Sequence, residues 1–175
     1  TSSQFDRWRV FGSVGRIEPR ASDAEAKDFV TSPRHGVEYR ASGEDSDQRL
    51  TFRLGRFMPA YGIAFAEHTF VTRTLLDFNP AQERYGLETA WNNSWASVIA
   101  TGISSQLNGN DSIKEKGGAI QAAIGVREKS KFGLSYYRTR KESAGTKYDR
   151  EIFGLFAHIS FSDKWYGLFE ADRPE

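Results

Sequence analysis

The stretch IQAAIGVREKSKFGLSY, residues 120–136, decides the fold. Within it, apolar residues occupy every second position on both sides of a short polar turn at 128–130. Alternation with a period of two is typical of a strand that has one apolar and one polar face. The stretch therefore predicts two antiparallel strands joined by a tight turn. The apolar positions are Ile120, Ala122, Ile124 and Val126 in the first strand, and Phe132, Leu134 and Tyr136 in the second.

The same alternation recurs along the chain, for example over Leu50–Leu54, Tyr85–Trp91 and Phe153–Phe161. Helical periodicity is weak throughout. We therefore predict an all-β protein with about nine strands, most of them longer than the ~5–6 residues of an ordinary strand. The predicted strands are 4–14, 35–42, 47–57, 83–91, 94–105, 117–127, 131–140, 147–161 and 164–172.

Composition excludes several classes of protein. The chain has 175 residues, no cysteine, a formal net charge of +1 and a mean hydropathy of −0.59. No run of ~20 apolar residues could form a transmembrane helix. A disulfide framework and a cysteine-based metal site are both excluded. The near-zero charge argues against a nucleic-acid partner. The length suits a single domain over 1–175, or a fragment of one.

No motif for catalysis or cofactor binding is present. The three histidines, His35, His68 and His158, form no zinc-protease motif, and no nucleophile-elbow or phosphate-loop motif occurs. Acidic clusters at 44–47 and 109–111 are best interpreted as solvated turns. His68 beside Glu67 is the only starting point for a catalytic pair, and no motif supplies a second group. We therefore expect no enzyme, no metal and no cofactor.

Connections of two kinds alternate along the chain. Short turns at 43–46, 92–93, 128–130 and 162–163 alternate with longer segments at 15–34, 57–82, 106–116 and 141–146. An up-and-down antiparallel meander with short turns at one rim and long loops at the other produces this order. Transmembrane β-barrels of the outer membrane have the same asymmetry.

Aromatic residues cluster beside the predicted short turns. Rings that gather at one rim are typical of the aromatic girdle at a membrane–water interface. The alternative is ordinary cross-strand packing near hairpin ends, but the recurrence at three successive turns favours the girdle. The girdle residues are Trp91, Trp95, Phe132, Phe161 and Trp165.

The other face of the predicted strands is hydrophilic. In a soluble sandwich this face would be solvated, whereas in a membrane barrel it would line the lumen. Alternation alone does not say which face lies outside. Four arginines in phase would form a basic track that attracts anions weakly, since two glutamates share their face. The predicted pore-lining residues are Glu38, Arg40, Arg49, Arg53, Arg84, Glu88, Gln121 and Arg127.

One segment resembles a known family. The run Gly55-Arg56-Phe57-Met58-Pro59-Ala60-Tyr61-Gly62-Ile63, with the returning Glu83-Arg84-Tyr85-Gly86-Leu87-Glu88, is similar to the early region of Gram-negative outer-membrane porins. There a strand runs into a loop after a Gly-Arg-Phe motif, and the next strand returns with spaced glutamates. The resemblance is to the broad porin superfamily, including phosphate-selective porins, and is strongest over 48–91.

The resemblance implies an outer-membrane channel for passive diffusion of small hydrophilic solutes, surrounded by outer-membrane lipids. It also implies a homotrimer in many relatives. A long loop in such porins folds inward and narrows the pore, and 58–82 is the candidate here. Its Glu67, His68 and Arg73 would then line a constriction. The alternative is that this loop covers the outer mouth.

Two departures from the porin pattern shape our expectation. About nine strands is an odd number, and open porins have ~16–18 strands. The chain also lacks a terminal aromatic residue. We therefore expect an N-terminal portion of a larger barrel in the bacterial outer membrane. A complete chain would instead form an eight-stranded barrel with a filled interior. The alternatives are a non-conducting structural or partner-holding barrel and a soluble lipocalin-like ligand-binding barrel.

Overall fold

A computed structural model describes residues 2–5, 7–17, 29–31, 34–42, 47–63, 83–104, 113–126, 130–143, 145–162 and 164–174. Twelve strands are present in this part of the chain, and no helix in it is long and apolar enough to cross a membrane. The strands are β1 (Ser2–Phe5), β2 (Trp8–Gly12), β3 (Gly15–Ile17), β4 (Phe29–Thr31), β5 (His35–Arg40), β6 (Arg49–Phe57), β7 (Arg84–Asn92), β8 (Ala96–Ser104), β9 (Ile113–Val126), β10 (Ser130–Ser143), β11 (Thr146–Ser160) and β12 (Tyr166–Pro174).

Ten of these strands form one antiparallel sheet in the order β1-β2-β5-β6-β7-β8-β9-β10-β11-β12. Each strand pairs with its neighbour along the chain, except that the separate ribbon β3-β4 is inserted between β2 and β5. The prediction of an all-β, up-and-down antiparallel fold is confirmed. Within the described residues β1 and β12 are the two edges and do not pair with each other, so the sheet is not closed into a barrel.

Two predicted boundaries differ from the structure. The predicted strand 4–14 contains a hairpin, in which Phe5 pairs with Trp8, so the two strands β1 and β2 lie where one was predicted. The predicted long loop at 141–146 is largely strand, because Lys141 pairs with Tyr148 and Ser143 with Thr146. Only residues 144–145 remain between β10 and β11, and Gly145 has a φ of +82°, a conformation that favours glycine.

Hydrogen bonds from side chains to the backbone stabilise two of the short connections. In the turn between β7 and β8, the Asn93 side-chain oxygen accepts hydrogen bonds from the backbone N–H groups of Trp95 and Ala96. Between β11 and β12, the Ser162 hydroxyl accepts from the N–H groups of Lys164 and Trp165. Such Asx and Ser turns reverse the chain in few residues. These two connections lie at the same end of the sheet as the strand ends Arg40, Arg49, Val126 and Ser130, and we call this end the short-turn rim.

The two faces of the sheet differ in chemistry. We call the outer face the one that carries the alternating apolar residues, and the inner face the opposite one. Register places Val37, Leu54 and Leu87 in one outer row on β5, β6 and β7. Another outer row runs through Val98, Ala122, Leu134 and Leu155. Most of these outer side chains are exposed. The inner positions in the middle of the sheet are mostly half-buried or buried, and they hold polar residues such as Glu88 and Ser135 together with an apolar core of Ile103, Ala119, Tyr137 and Ile152.

Candidate functional site

A row of alternating charges crosses the inner face on four neighbouring strands. Register places Arg9, Glu38, Arg53 and Glu88 side by side on β2, β5, β6 and β7. The guanidinium of Arg53 lies 3.2 Å from one Glu38 carboxylate oxygen and 3.0 Å from Glu88, and Arg9 lies 2.9 Å from Glu38. Thr101 on β8 extends the row, because its hydroxyl donates to Glu88 at 3.1 Å. The row therefore ties five strands together through side chains.

A second cluster surrounds Glu115, whose side chain is fully buried. Arg84 donates to its carboxylate at 2.6 Å from β7, and Arg150 lies 3.7 Å away on β11. The hydroxyls of Tyr137 and Thr139 on β10 also donate to it, at 2.7 and 2.6 Å. Burial of a lone carboxylate is costly, so these charged and hydroxyl partners are what make its position tolerable.

Residues 58–63, which follow β6, cross the inner face and attach to its far half. The Tyr61 hydroxyl donates to Asp172 on β12 at 2.7 Å, and the Gly62 N–H donates to the Ser135 hydroxyl on β10 at 2.9 Å. The Gln121 amide on β9 donates to the Gly62 carbonyl at 2.6 Å. Tyr61 is only 2% exposed. The start of the predicted constriction loop is thus fixed against three strands. We call Tyr61, Gly62, Gln121, Ser135 and Asp172 the loop clamp.

Glycines make room for this contact. Gly62 has a φ of +54°, in the left-handed region that favours glycine. Gly154 on β11 lies under the Tyr61 ring, and a Cβ at that position would sit 2.5 Å from the tyrosine oxygen. Burial, reinforced by the hydrogen bond to Asp172, raises the pKa of Tyr61 above its ordinary value. The hydroxyl therefore stays protonated and remains a donor.

Glu83 lies at the other end of the same connection, directly before β7. Its burial raises the pKa to about 7 from an ordinary value of 4.5, although Arg34 and Arg56 act in the opposite direction. One of its carboxylate oxygens is buried with no hydrogen-bond partner among the described residues. The group therefore titrates near neutral pH.

The predicted pore-lining residues mostly lie together on the inner face. Glu38, Arg53, Glu88, Arg84 and Gln121 belong to the ion-pair row, the Glu115 cluster or the loop clamp. Arg40 and Arg49 lie on the same face nearer the short-turn rim, where they pair in register with Thr51 and Asn92. Four predicted residues lie outside the described residues: Arg127, Glu67, His68 and Arg73.

The predicted girdle residues lie at or near the short-turn rim. Trp95, Phe161 and Trp165 are 61–74% exposed, and Phe132 is 41% exposed. Trp91 is partly covered, and its indole N–H donates to the Gln48 side chain at 3.4 Å.

Sequence reasoning missed Glu115, Tyr137 and Asp172 as inner-face residues. The predicted strand began at the glycine pair 117–118, although the period of two extends back to Glu115, in phase with Ala119 and Gln121. That phase was the available signal. No comparable signal existed for Asp172, because its partner Tyr61 is 111 residues away in the chain.

In the described residues, no three His, Asp or Glu side chains are grouped so that they could hold a metal ion. A scan against protein-family models and searches of curated proteins and of solved structures find no match for the chain.

Proposed function

We propose that the chain forms all or part of an outer-membrane β-barrel channel through which small hydrophilic solutes diffuse passively. One observation carries this proposal: apolar side chains are exposed along the outer face, whereas charged and hydroxyl side chains are buried on the inner face beside a small apolar core. Leu155 and Ile124 on the outer face are 53% and 52% exposed, whereas Glu88 and Thr101 on the inner face are 5% and 4% exposed. Lipid is the environment that stabilises this arrangement, since transmembrane barrels present apolar residues outward and polar residues to the lumen.

The same observation argues against a soluble lipocalin-like barrel. Such a barrel buries most of its apolar side chains and exposes polar ones. In this sheet many apolar side chains are exposed on the outer face, while Glu88, Thr101 and Glu115 are buried on the inner one. Exposed apolar patches larger than a few hundred Å² are rare on soluble monomers. The outer face therefore supports a location in a membrane, and the resemblance of 48–91 to porins favours the bacterial outer membrane.

The loop clamp supports the proposal that the inner face lines a channel. It holds residues 58–63 across the space that the polar face borders, as expected of a loop that narrows a pore. Solute selection would then depend on the size of the opening and on the charges around it. Carboxylates pair with Arg53 and Arg84, while Arg40 and Arg49 add positive charge, so the anion preference that we propose is weak.

A second candidate is a non-conducting barrel with a structural or partner-holding role. Dense packing on the inner face favours it: Tyr137, Ile152 and Ser135 are at most 1% exposed. Small barrels of about eight strands have interiors that side chains fill. Conduction therefore separates the two candidates.

The test is electrical recording of the detergent-refolded protein in planar lipid bilayers. We expect discrete conductance steps. The double variant Tyr61→Phe/Ser135→Ala removes three hydrogen bonds of the loop clamp, so its steps should be larger or noisier. The control is Tyr136→Phe, because this hydroxyl donates to Glu151 at 2.7 Å on the outer face and should leave the steps unchanged.

Three outcomes would contradict the proposal in different ways. Membrane insertion without conductance supports the non-conducting barrel. A monodisperse protein in buffer without detergent rules out a membrane location. A reversal potential that shows cation preference under a salt gradient overturns the proposed anion preference alone.

A further inference from the structure

A groove lies on the outer face over β7, β8, β9 and β10, with a volume of about 710 Å³. It exists because Gly102 on β8 and Gly118 on β9 are paired in register and have no side chains. Leu87 stands on one side of this glycine pair and Arg138 on the other. With adjacent strands ~4.8 Å apart, the gap between those two side chains is about 14 Å across the strands. This width accommodates an extended acyl chain.

Apolar residues line the lower part of the groove. Ala100, Ile120 and Tyr136 form the next row of the outer face below the two glycines, and all three line it. A side chain could occupy part of the space: a Cβ built on Gly102 would meet only the Leu87 carbonyl oxygen, at 3.9 Å. The groove is therefore a real depression in the surface rather than a consequence of backbone crowding.

The upper end of the groove is basic. Lys116, Arg138 and Arg140 line it, and Asp149 is the one carboxylate among its lining residues. Arg140 donates to Asp149 at 2.8 Å, and Arg138 lies 3.9 Å from Glu151. Lys116 stands directly opposite Arg140 on the same face of the β9–β10 pair. Like charges in that position repel each other. Asp149, which pairs with Arg140, offsets part of this repulsion, and an anion bound between the two cations would offset more of it.

We propose that this groove binds a phosphorylated membrane lipid, with an acyl chain over Gly102 and Gly118 and the phosphate between Lys116 and Arg140. This inference rests on the proposed membrane location. Charge complementarity supports this choice of occupant, because an apolar groove that ends in cations matches an amphiphile with an anionic head group. A second copy of the chain is a poorer occupant, since a two-fold contact at this groove would bring the same cations together.

The experiment is native mass spectrometry of the refolded protein in a non-ionic detergent. The probes are dioleoyl phosphatidic acid and dioleoyl phosphatidylcholine, which share their acyl chains and differ in head-group charge. We expect phosphatidic acid to bind about tenfold more tightly, because its head group carries a net negative charge that the two cations attract, whereas the head group of phosphatidylcholine is neutral. The double variant Lys116→Gln/Arg140→Gln should reduce this preference to within about twofold. Gly102→Leu should weaken binding of both lipids, because it fills the groove.

Two controls match these variants. Lys131→Gln/Lys164→Gln removes the same charge from exposed residues near the short-turn rim and should leave the lipid preference unchanged. Ala171→Leu adds slightly less bulk than the groove-filling variant and does so on the exposed outer side of β12.

Several results would overturn the lipid site. These are equal binding of the two lipids, loss of preference in the rim control, or displacement of phosphatidic acid by equimolar inorganic phosphate. Dimers or trimers that Gly102→Leu abolishes would show that a second copy occupies the groove. In each case a variant that still inserts into bilayers and conducts would leave the proposed channel function standing, so the two failures are distinguishable.

Discussion

The outer and inner faces of the ten-stranded sheet share the same backbone hydrogen bonds but differ in how exposed their side chains are and in which contacts those side chains make. Leu134 on the outer face is 44% exposed and has no polar contact to make, whereas its neighbour Ser135 on the inner face is fully buried and bonds the Gly62 N–H. Outer residues expose apolar surface area to the medium around the protein. Inner residues contribute specific pairs that join strands and hold a loop.

The comparison teaches how each face should respond to substitution. On the inner face, removal of one partner leaves a buried charge or donor uncompensated. On the outer face, the cost depends on the solvent: it is small in water and large in lipid. Matched substitutions on the two faces therefore measure the environment directly.

The largest effect is expected for Glu115→Ala. This variant leaves Arg84 and Arg150 facing each other without their shared carboxylate, which should lower the free energy of unfolding by about 3–5 kcal/mol. Urea titration of the protein folded in detergent or liposomes measures it. The control is Glu151→Ala, a half-buried glutamate on the outer face whose loss should cost about 0–1 kcal/mol. Equal costs for the two variants would mean that the inner cluster is solvated.

The next effect tests the outer face. Leu134 lies midway along the apolar stretch of β10, between Phe132 and Tyr136, so Leu134→Arg should destabilise a membrane-embedded sheet by about 2–4 kcal/mol. The measurement is reversible folding into lipid vesicles. Ser97→Arg, which places the same side chain on the inner face at a half-buried position outside the loop clamp, is the matched control. A cost within about 0.5 kcal/mol for Leu134→Arg, as on an ordinary wet surface, would exclude lipid contact.

A smaller effect concerns the short-turn rim. If Trp95 and Trp165 lie at the membrane interface, lipids brominated near the head group should quench their fluorescence more strongly than lipids brominated at the chain end. The single-tryptophan proteins that retain only Trp95 or only Trp165 allow each position to be read separately. Quenching that is strongest at the chain end would place this rim in the bilayer core and contradict the girdle.

The smallest effect is the pH dependence from Glu83. Its pKa is about 7 in the folded protein and 4.5 in the reference state, so the folded state holds the proton more tightly. The contribution of Glu83 to the free energy of unfolding is largest below pH 4.5 and declines as the pH rises towards 7. Glu83→Gln should abolish the decline in unfolding free energy between pH 5 and pH 8, whereas Glu142→Gln should not. An unchanged pH profile in Glu83→Gln would assign the titration to another group.

Much of the fold could be predicted from local patterns. The period of two over 120–136 predicts the β9–β10 hairpin, and the polar turns mark where strands reverse. The errors arose where local signals conflict with pairing. Lys141 and Glu142 look like loop residues, yet the ladder with β11 continues through both of them. Within 4–14 the alternation hides the antiparallel pairing of Phe5 with Trp8.

The candidate site was only partly predictable. Phase along single strands identified Arg53, Glu88 and Gln121 as residues of one polar face, because side-chain direction follows from position in a strand. The interaction partners of the inner-face residues could not be predicted from phase along a strand. Glu115 receives hydrogen bonds from β7 and β10, and Tyr61 bonds Asp172 across half the chain. Such contacts depend on how the whole sheet brings distant strands together.

The sequence by itself determined which residues share a face, where most strands run and that neighbouring strands are antiparallel. These properties depend on local backbone geometry and on a repeat of two residues. Only the tertiary structure decided that the apolar face is exposed and that residues 58–63 lie across the polar one. The physical reason is symmetry: alternation is the same pattern whichever face is outside, and only contacts between distant strands and the loop distinguish the two arrangements.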